Sequence, residues 1–481
     1  MVIFLVIGAL RIASTYWTFS ETIDEPVHFS AGLEILARHQ YTVQYHNPPL
    51  PRLMFAIGPW LDGTRYDRID PPYDHLKSVF QSPRGYLRTL ALARMGNLIF
   101  FLIAAVATWM WARKEAGEAA ALATLFLFTT EPVILGYSGL VTHDAAAIAG
   151  VALAILALLR WIERPTIVNA ILLGAAFGFG VACKFSCIAF TPLACGAILL
   201  VRIIRQRRAQ WLKIVILIVV VPVIAAAVVW VSYGFSINKF IIGVRSLAAV
   251  NRGPYTTYLF GHASTKGWWW YFPVTVLLKT TLPLLLLVVA ALFAKQKRVV
   301  FESLAAAVAI LAMAMTSPLD LGIRYVLPIF VPLSVAAGIG LVQMFNQRRA
   351  AAALLIAWQL AASALAHPDY FPYFNELAGR EPSRFLIDSN LDWGQDVLRL
   401  SKEVRRLKID SLGVALFSNS DLDALGFPPR FTANAFVPTT GWTAISEHIY
   451  RMDRAERGGW RWLDGRPYRL VGKSIRLYDV Q

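Results

Sequence analysis

A succession of apolar runs, each close to the length of a bilayer-crossing helix, constrains this 481-residue chain more than any other feature. A membrane helix needs about 20 mainly apolar residues. Runs of that kind lie near residues 1–19, 92–111, 118–136, 142–160, 167–183, 185–201, 214–235, 273–294, 299–316, 323–342 and 350–366, with short polar breaks between them. They predict a mainly α, polytopic membrane protein with about eleven spans, the first of them short and interrupted by Arg11. A hydrophobic content of 57%, only 16% charged residues and a mean hydropathy of +0.53 exclude a water-soluble domain.

The formal charge is +16, from 46 Lys and Arg against 30 Asp and Glu, which in a soluble chain would point to nucleic acid. Its distribution points elsewhere. Bases gather in every second break: Arg113 and Lys114; Arg160 and Arg164; Arg202, Arg205, Arg207, Arg208 and Lys213; Lys295, Lys297 and Arg298; Arg348 and Arg349. By the positive-inside rule these breaks face the cytoplasm of a plasma (inner) membrane. Residues 20–91 and 367–481, whose charges nearly cancel, then fall outside, and no nucleic-acid partner is expected.

Residues 1–366 therefore read as a membrane module and 367–481 as an extracytoplasmic domain. Within the first outer segment, 27–39 and 51–60 mix apolar and polar residues at helical spacing, which predicts amphipathic helices on the membrane surface. In the second, strand-like 385–387, 412–417 and 474–478 surround a helical stretch over 393–407 capped by Asp392, the pattern of a small α/β domain. Residues 1–18 lack a basic n-region and a small-residue cleavage site, and so read as an anchor and not a cleaved signal. Cys183, Cys187 and Cys195 lie in apolar sequence without metal-ligand spacing and read as packing residues.

Charge within or beside apolar runs is costly and therefore informative. Arg11, Arg94, Lys184, Lys239, Arg245, Arg252, Lys266, Lys279 and Arg324 all fall towards the outer face of this topology. Lys184, Lys279 and Arg324 stand out as a cation set suited to a phosphate; snorkelling to lipid headgroups is the alternative for each alone. The acids are Asp24 and Glu25 in Glu21-Thr22-Ile23-Asp24-Glu25-Pro26-Val27-His28, Asp144 in Val141-Thr142-His143-Asp144-Ala145, and Glu131. Helix-terminal placement alone would explain each of them. Acids facing cations at the outer ends of different helices also supply what joining a hydroxyl to an activated sugar requires. A carboxylate accepts the proton, and cations stabilise the departing phosphate. A divalent ion held by Asp24, Asp144 and His143 is a further expectation, from a small donor set.

These residues resemble a known family. Asp24-Glu25 after the first run, Tyr45-His46-Asn47-Pro48-Pro49-Leu50, Asp144 and Lys184 look like the membrane glycosyltransferases of the GT-C superfamily. The nearest group is family 39, with its protein O-mannosyltransferases and the aminoarabinose transferases that modify lipid A. Three further stretches are similar to bacterial phospholipid carrier-dependent glycosyltransferases. They are Lys266-Gly267-Trp268-Trp269-Trp270-Tyr271-Phe272-Pro273 with Lys279-Thr280, Gly322-Ile323-Arg324-Tyr325-Val326-Leu327-Pro328, and Asp388-Ser389-Asn390-Leu391-Asp392-Trp393-Gly394-Gln395-Asp396.

The resemblance covers nearly the whole chain. It implies a polyprenyl-phosphate sugar donor, a protein, lipid or glycan acceptor, a site at the outer membrane face and inversion at the anomeric carbon. It suggests Asp24 as the catalytic carboxylate with Glu25 beside it, Asp144 as a second acid, and Lys184 and Arg324 on the donor phosphate, where Lys279 is a further candidate. Asn47 stands where some members place His or Lys, which makes His46 the candidate substitute. The aromatic run at 268–272 reads as an interfacial belt or a sugar platform. A flippase of lipid-linked saccharides and an O-antigen-ligase-like transferase are the alternative classes.

Overall fold

The computed structural model describes residues 1–66, 79–82, 84–206, 211–253 and 255–481, with the backbone alone for 205, 206 and 211–218. Arg207 and Arg208, two of the expected topology markers, lie outside the described residues. The chain is mainly helical. Helix α1 (Val2–Ala13) is followed by α2 (Glu25–Arg38), α3 (Pro49–Leu61), α4 (Tyr86–Ala116), α5 (Glu118–Thr130), α6 (Pro132–Ser138), α7 (Asp144–Glu163) and α8 (Ile167–Cys183). Then come α9 (Cys187–Gln206), α10 (Trp211–Ser232), α11 (Ile237–Arg252), α12 (Tyr271–Lys279), α13 (Leu282–Ala291), α14 (Lys297–Ala314), α15 (Phe330–Gln347) and α16 (Arg349–Leu365), with a short hairpin of β1 (Thr257–Leu259) and β2 (His262–Ser264) before α12.

Among the described residues four helical stretches are long and apolar enough to cross a membrane: α4, α7, Cys187–Ile204 of α9, and Leu327–Gln347. Three bent pairs pass only together, and α1, α8 and α16 are shorter apolar helices. Two runs expected to be single helices are thus broken, 118–136 between α5 and α6 by 61° and 273–294 between α12 and α13 by 108°. Proline is the local cause: Pro132 and Pro283 sit in the first turns of α6 and α13, where their missing N–H is harmless, and they end the preceding helix. Backbone freed in an apolar surround needs a partner. The two breaks supply it to each other, since the Glu131 carboxylate accepts the Thr281 N–H at 3.2 Å and its hydroxyl at 2.7 Å.

Small residues set a close helix contact between α7 and α8. A Cβ on Gly150 of α7 would lie 2.6 Å from the Gly180 Cα of α8, so these backbones touch directly. The three cysteines are free and buried, as packing residues should be. At one end of the bundle the basic breaks converge. Lys114 pairs with Glu163, Arg202 with Glu302 at 2.8 Å and Glu115 at 3.1 Å, and Arg298 with Glu115 at 2.6 Å.

The opposite end is built from α2, α3 and the C-terminal residues. Helix α2 does not lie on a surface as its spacing predicted: every residue from Glu25 to Glu34 is buried. It is apolar on two sides, Phe29 and Leu33 joining the main core and Ala31 packing with Phe185 and Tyr233. The C-terminal strands β3 (Leu412–Ala415), β4 (Arg430–Thr432), β5 (Gly441–Ser446), β6 (Tyr468–Val471) and β7 (Ile475–Val480) form a mixed sheet of order β4-β3-β5-β7-β6, with α17 (Val397–Arg406) and α18 (Glu447–Arg457).

Residues 385–387 are not a strand. Pro382 opens a one-turn 3-10 helix, a second covers Asp388–Asn390, and Leu386 packs into the membrane-helix core and not under the sheet. Helix α17 starts later than predicted because 393–395 pair with the chain start: Ser20 N–H donates to the Gln395 carbonyl and Ile23 N–H to that of Trp393, both at 3.0 Å. Asp392 caps no part of α17; it accepts the N–H of His448 in the first turn of α18. Arg11 of α1 likewise bonds Ser363 and Tyr370 near the end of the helical region.

Candidate active site

The first candidate residue, Asp24, sits at the start of α2, with Pro26 fixing the first helical turn. Its carboxylate makes no capping bond. It turns instead to Arg324, whose Nη1 lies 2.7 Å from Oδ2. Asp144 opens α7, and its Oδ1 accepts from the Lys184 ammonium at 2.6 Å. Lys184 reaches it because α8 stops at Cys183 and the chain turns to extended backbone at Lys184. The two pairs adjoin, since the same ammonium also approaches the Arg324 carbonyl at 3.4 Å.

Arg324 lies in the one-turn helix Ile323–Tyr325, entered through Gly322 at φ +142°, where a Cβ would meet the Ser389 hydroxyl at 2.3 Å. Only glycine permits both that conformation and that approach. The guanidinium rests on the rings of Trp393 and Tyr325, with its central carbon 4.3 and 5.1 Å from their centroids.

Both pairs open onto one cavity of about 550 Å³, whose lining also includes His28, His46, Asn47, His143, Asp388, Phe417 and His448. Six buried side-chain atoms of its lining have no hydrogen-bond partner among the described residues: Thr142 Oγ1, His143 Nδ1, Asp144 Oδ2, Ser186 Oγ, Arg324 Nε and His448 Nδ1. An unsatisfied buried polar atom costs about 1–3 kcal/mol, so this is a site that a polar ligand would complete. Burial, helped by the Arg52 guanidinium, holds the His46 imidazole below its usual pKa, against the opposing pull of Asp24. A larger cavity of about 690 Å³ opens beside β3, β4 and α18, but there Asp423 pairs with Arg430 and Asp453 with Arg457, and no buried side-chain atom of its lining is orphaned among the described residues.

Asp24, Asp144, Lys184, Arg324, His46 and His143 are therefore brought to one cavity. Glu25 and Lys279 are not. Glu25 is sealed behind the cavity wall by Arg94 in a two-pronged pair at 2.9 and 2.8 Å and by the N–H groups of Thr22 and Val141, so it fastens the first loop to α4. Lys279 is fully buried and donates to the carbonyls of Phe371 and Asn390, so it clamps the segment after α16. Asp24, Asp144 and His143 do not gather as a metal site. No group of three or more His, Cys, Asp or Glu among the described residues could hold an ion, and both carboxylates already neutralise a cation.

Arg52 carries no signal in its local sequence, yet it is fully buried and bonded to Tyr41, the Gln44 carbonyl and His28. The same holds for Asp388, Phe417 and His448 on the cavity wall, although Asp388 begins one of the stretches on which the resemblance rests.

Residues 88–230 match the family model described as dolichyl-phosphate-mannose-protein mannosyltransferase, a stretch holding Asp144 and Lys184. Among solved structures, the chain is similar to ArnT from Cupriavidus metallidurans in the apo state, at 14% identity over 99% of this chain and 97% of that one, with a TM-score of 0.55. The same protein bound to undecaprenyl phosphate matches at 14% identity over 99% and 97%, with a TM-score of 0.50. The Archaeoglobus fulgidus oligosaccharyltransferase in its apo form matches at 12% identity over 96% of this chain and 72% of that one, with a TM-score of 0.51. No curated protein matches this chain.

Proposed function

We propose that this chain, a membrane glycosyltransferase of the GT-C superfamily, transfers a sugar from a polyprenyl-phosphate donor to an acceptor outside the cytoplasm, with inversion at the anomeric carbon. The carrying observation is the pair of adjoining ion pairs, Arg324 with Asp24 and Lys184 with Asp144, on one cavity at the end of the bundle away from the basic breaks. A structural neighbour bound to undecaprenyl phosphate supports the class of donor. The basic breaks face the cytoplasm of the inner membrane in this reading, and residues 367–481 work outside with the cavity. The eleven-span path belongs to the same reading, with the broken helices counted as bent spans.

The donor phosphate takes the place of the carboxylates as partner of Arg324 and Lys184, Arg as a fork and Lys as a point charge. Asp24, released from Arg324, accepts the acceptor's proton. The acceptor oxygen bonds to C1, the bond from C1 to the phosphate oxygen breaks, and its electron pair stays on the phosphate beside the two cations. Asp144 keeps Lys184 at the cavity. Glu25 acts at a distance, by fixing the loop that carries Asp24. No step is assigned to a metal.

The test is Asp24→Asn in purified protein supplied with an undecaprenyl-phosphate-linked hexose. Transfer is expected to fall about 100- to 10,000-fold, the range of a lost general base. Undiminished transfer would remove Asp24 from the mechanism. Lipid-linked sugar that crosses vesicle membranes with no transfer in the unaltered protein would favour the flippase.

A further inference from the structure

The cavity has two kinds of wall. Asp144, Lys184 and Arg324 stand at the ends of apolar helices, where a lipid-borne phosphate arrives from the membrane. Asp388, Phe417 and His448 come from the C-terminal residues around the sheet, where a water-borne molecule arrives. On that second wall, His448 Nδ1 and Asp388 Oδ2 are 3.7 Å apart, too far for a direct hydrogen bond. Nδ1 is buried without a hydrogen-bond partner among the described residues.

Neither side chain is loose. The imidazole lies flat on Phe417, with ring centres 3.7 Å apart and planes within 7°, and the His448 backbone N–H is held by Asp392 at 2.8 Å. Asp388 adopts φ +55°, and its Oδ1 is taken by the Ser389 N–H, which leaves Oδ2 facing the histidine. The two groups hold a gap that one more atom fits: an oxygen about 2.8 Å from each closes the triangle with normal bond lengths.

Resting on the glycosyltransferase reading, we propose that Asp388 and His448 form the acceptor subsite and take a saccharide hydroxyl between them. A hydroxyl both donates and accepts, which suits a carboxylate on one side and an imidazole N–H on the other. Burial keeps the His448 pKa below its ordinary value, so the ring is neutral and retains one N–H and one lone pair. The acceptor is a saccharide and not a serine or threonine side chain because it must offer two hydroxyls. One bridges Asp388 and His448 while another reaches C1 beside Asp24. Phe417, which is only partly buried, adds apolar surface for the sugar's C–H groups beside the imidazole stacked on it.

The experiment uses the full chain in detergent, undecaprenyl-phosphate-linked hexoses as donors, and methyl α-hexopyranosides or a Ser/Thr peptide as acceptors, with KM measured separately for each substrate. Asp388→Asn and His448→Ala are each expected to raise the saccharide KM about tenfold and the donor KM about twofold or less, the size of one lost hydrogen bond. His448→Asn, which returns an N–H near Nδ1, is expected to recover most of the loss, which a merely misfolded variant would not do. Equal rises in both KM values, no recovery with asparagine, or a wild-type preference for the peptide would overturn the subsite. Failure of the wild-type protein to consume any donor would overturn the glycosyltransferase reading itself, a result visible before any variant is made.

Discussion

The two ends of the helical bundle hold buried ion pairs of similar composition and opposite character. At the basic end, Arg202 bonds both oxygens of Glu302 at 2.8 and 3.0 Å and also reaches Glu115, which takes Arg298 in turn. Each of these four charges has its partners. At the other end Arg324 and Lys184 hold one carboxylate each across an open cavity, and Asp144 Oδ2 and Arg324 Nε go unpaired. Full compensation makes a fastener, whereas partial compensation beside empty space makes a site. The Glu25–Arg94 pair sharpens the lesson, since Glu25 is a fastener one residue from Asp24.

The largest effect separating the two ends should come from Asp24→Asn, which abolishes most transfer while leaving the basic-end network untouched. Next, Arg202→Met strands Glu302 without its strongest partner; removing one member of a buried pair costs about 3–5 kcal/mol. A clear drop in the thermal midpoint is expected, with transfer per folded molecule retained. Lys184→Gln should do the reverse. Losing a charge-assisted bond to phosphate raises the donor KM about tenfold, and the midpoint moves less than in Arg202→Met because Asp144 keeps a second cation, Arg324, beside it. Equal midpoint losses in those two variants would break the distinction between fastener and site.

A smaller effect concerns pH. Burial raises the Asp392 carboxyl from an ordinary 3.8 to about 8, against the N–H bonds from His448 and Gly394. A folded-state pKa above the unfolded one favours the protonated native form, so its contribution is full below pH 3.8 and is lost as pH rises towards about 8. Asp392→Asn should flatten the decline of the midpoint across that window. The smallest expectation is Asp62→Asn, at a solvent-facing pair with Arg88, where no measurable change in midpoint is expected.

Much of the site was legible because membrane segments make charge conspicuous. Asp144, Lys184 and Arg324 stand beside apolar runs, and Asp24 follows one directly. The same signal failed to tell Glu25 and Lys279 from them, because cost identifies a buried charge without saying what neutralises it. Asp388, marked only as the start of a resembling stretch, and His448 received no site role for the opposite reason, since both lie outside the apolar runs, where an acid or a histidine is ordinary. The fold followed suit. Length and apolarity predicted the helices, but the breaks at Pro132 and Pro283 depend on Glu131 meeting Thr281, a pairing 150 residues apart. Strand 385–387 failed because a local β pattern does not reveal which core will claim Leu386.

The stitching of the chain's start to its end bears on the order of synthesis. Asp24 is made early, yet the loop before it is held by Trp393 and Gln395, and Asn419 donates to the Ile23 carbonyl. Synthesis runs from the N-terminus, and earlier segments fold first. A half-made chain therefore carries the carboxylate and Lys184 without the wall that completes the cavity. On the proposed reading, transfer therefore waits until residues 393–419 have been made and docked against the loop that carries Asp24.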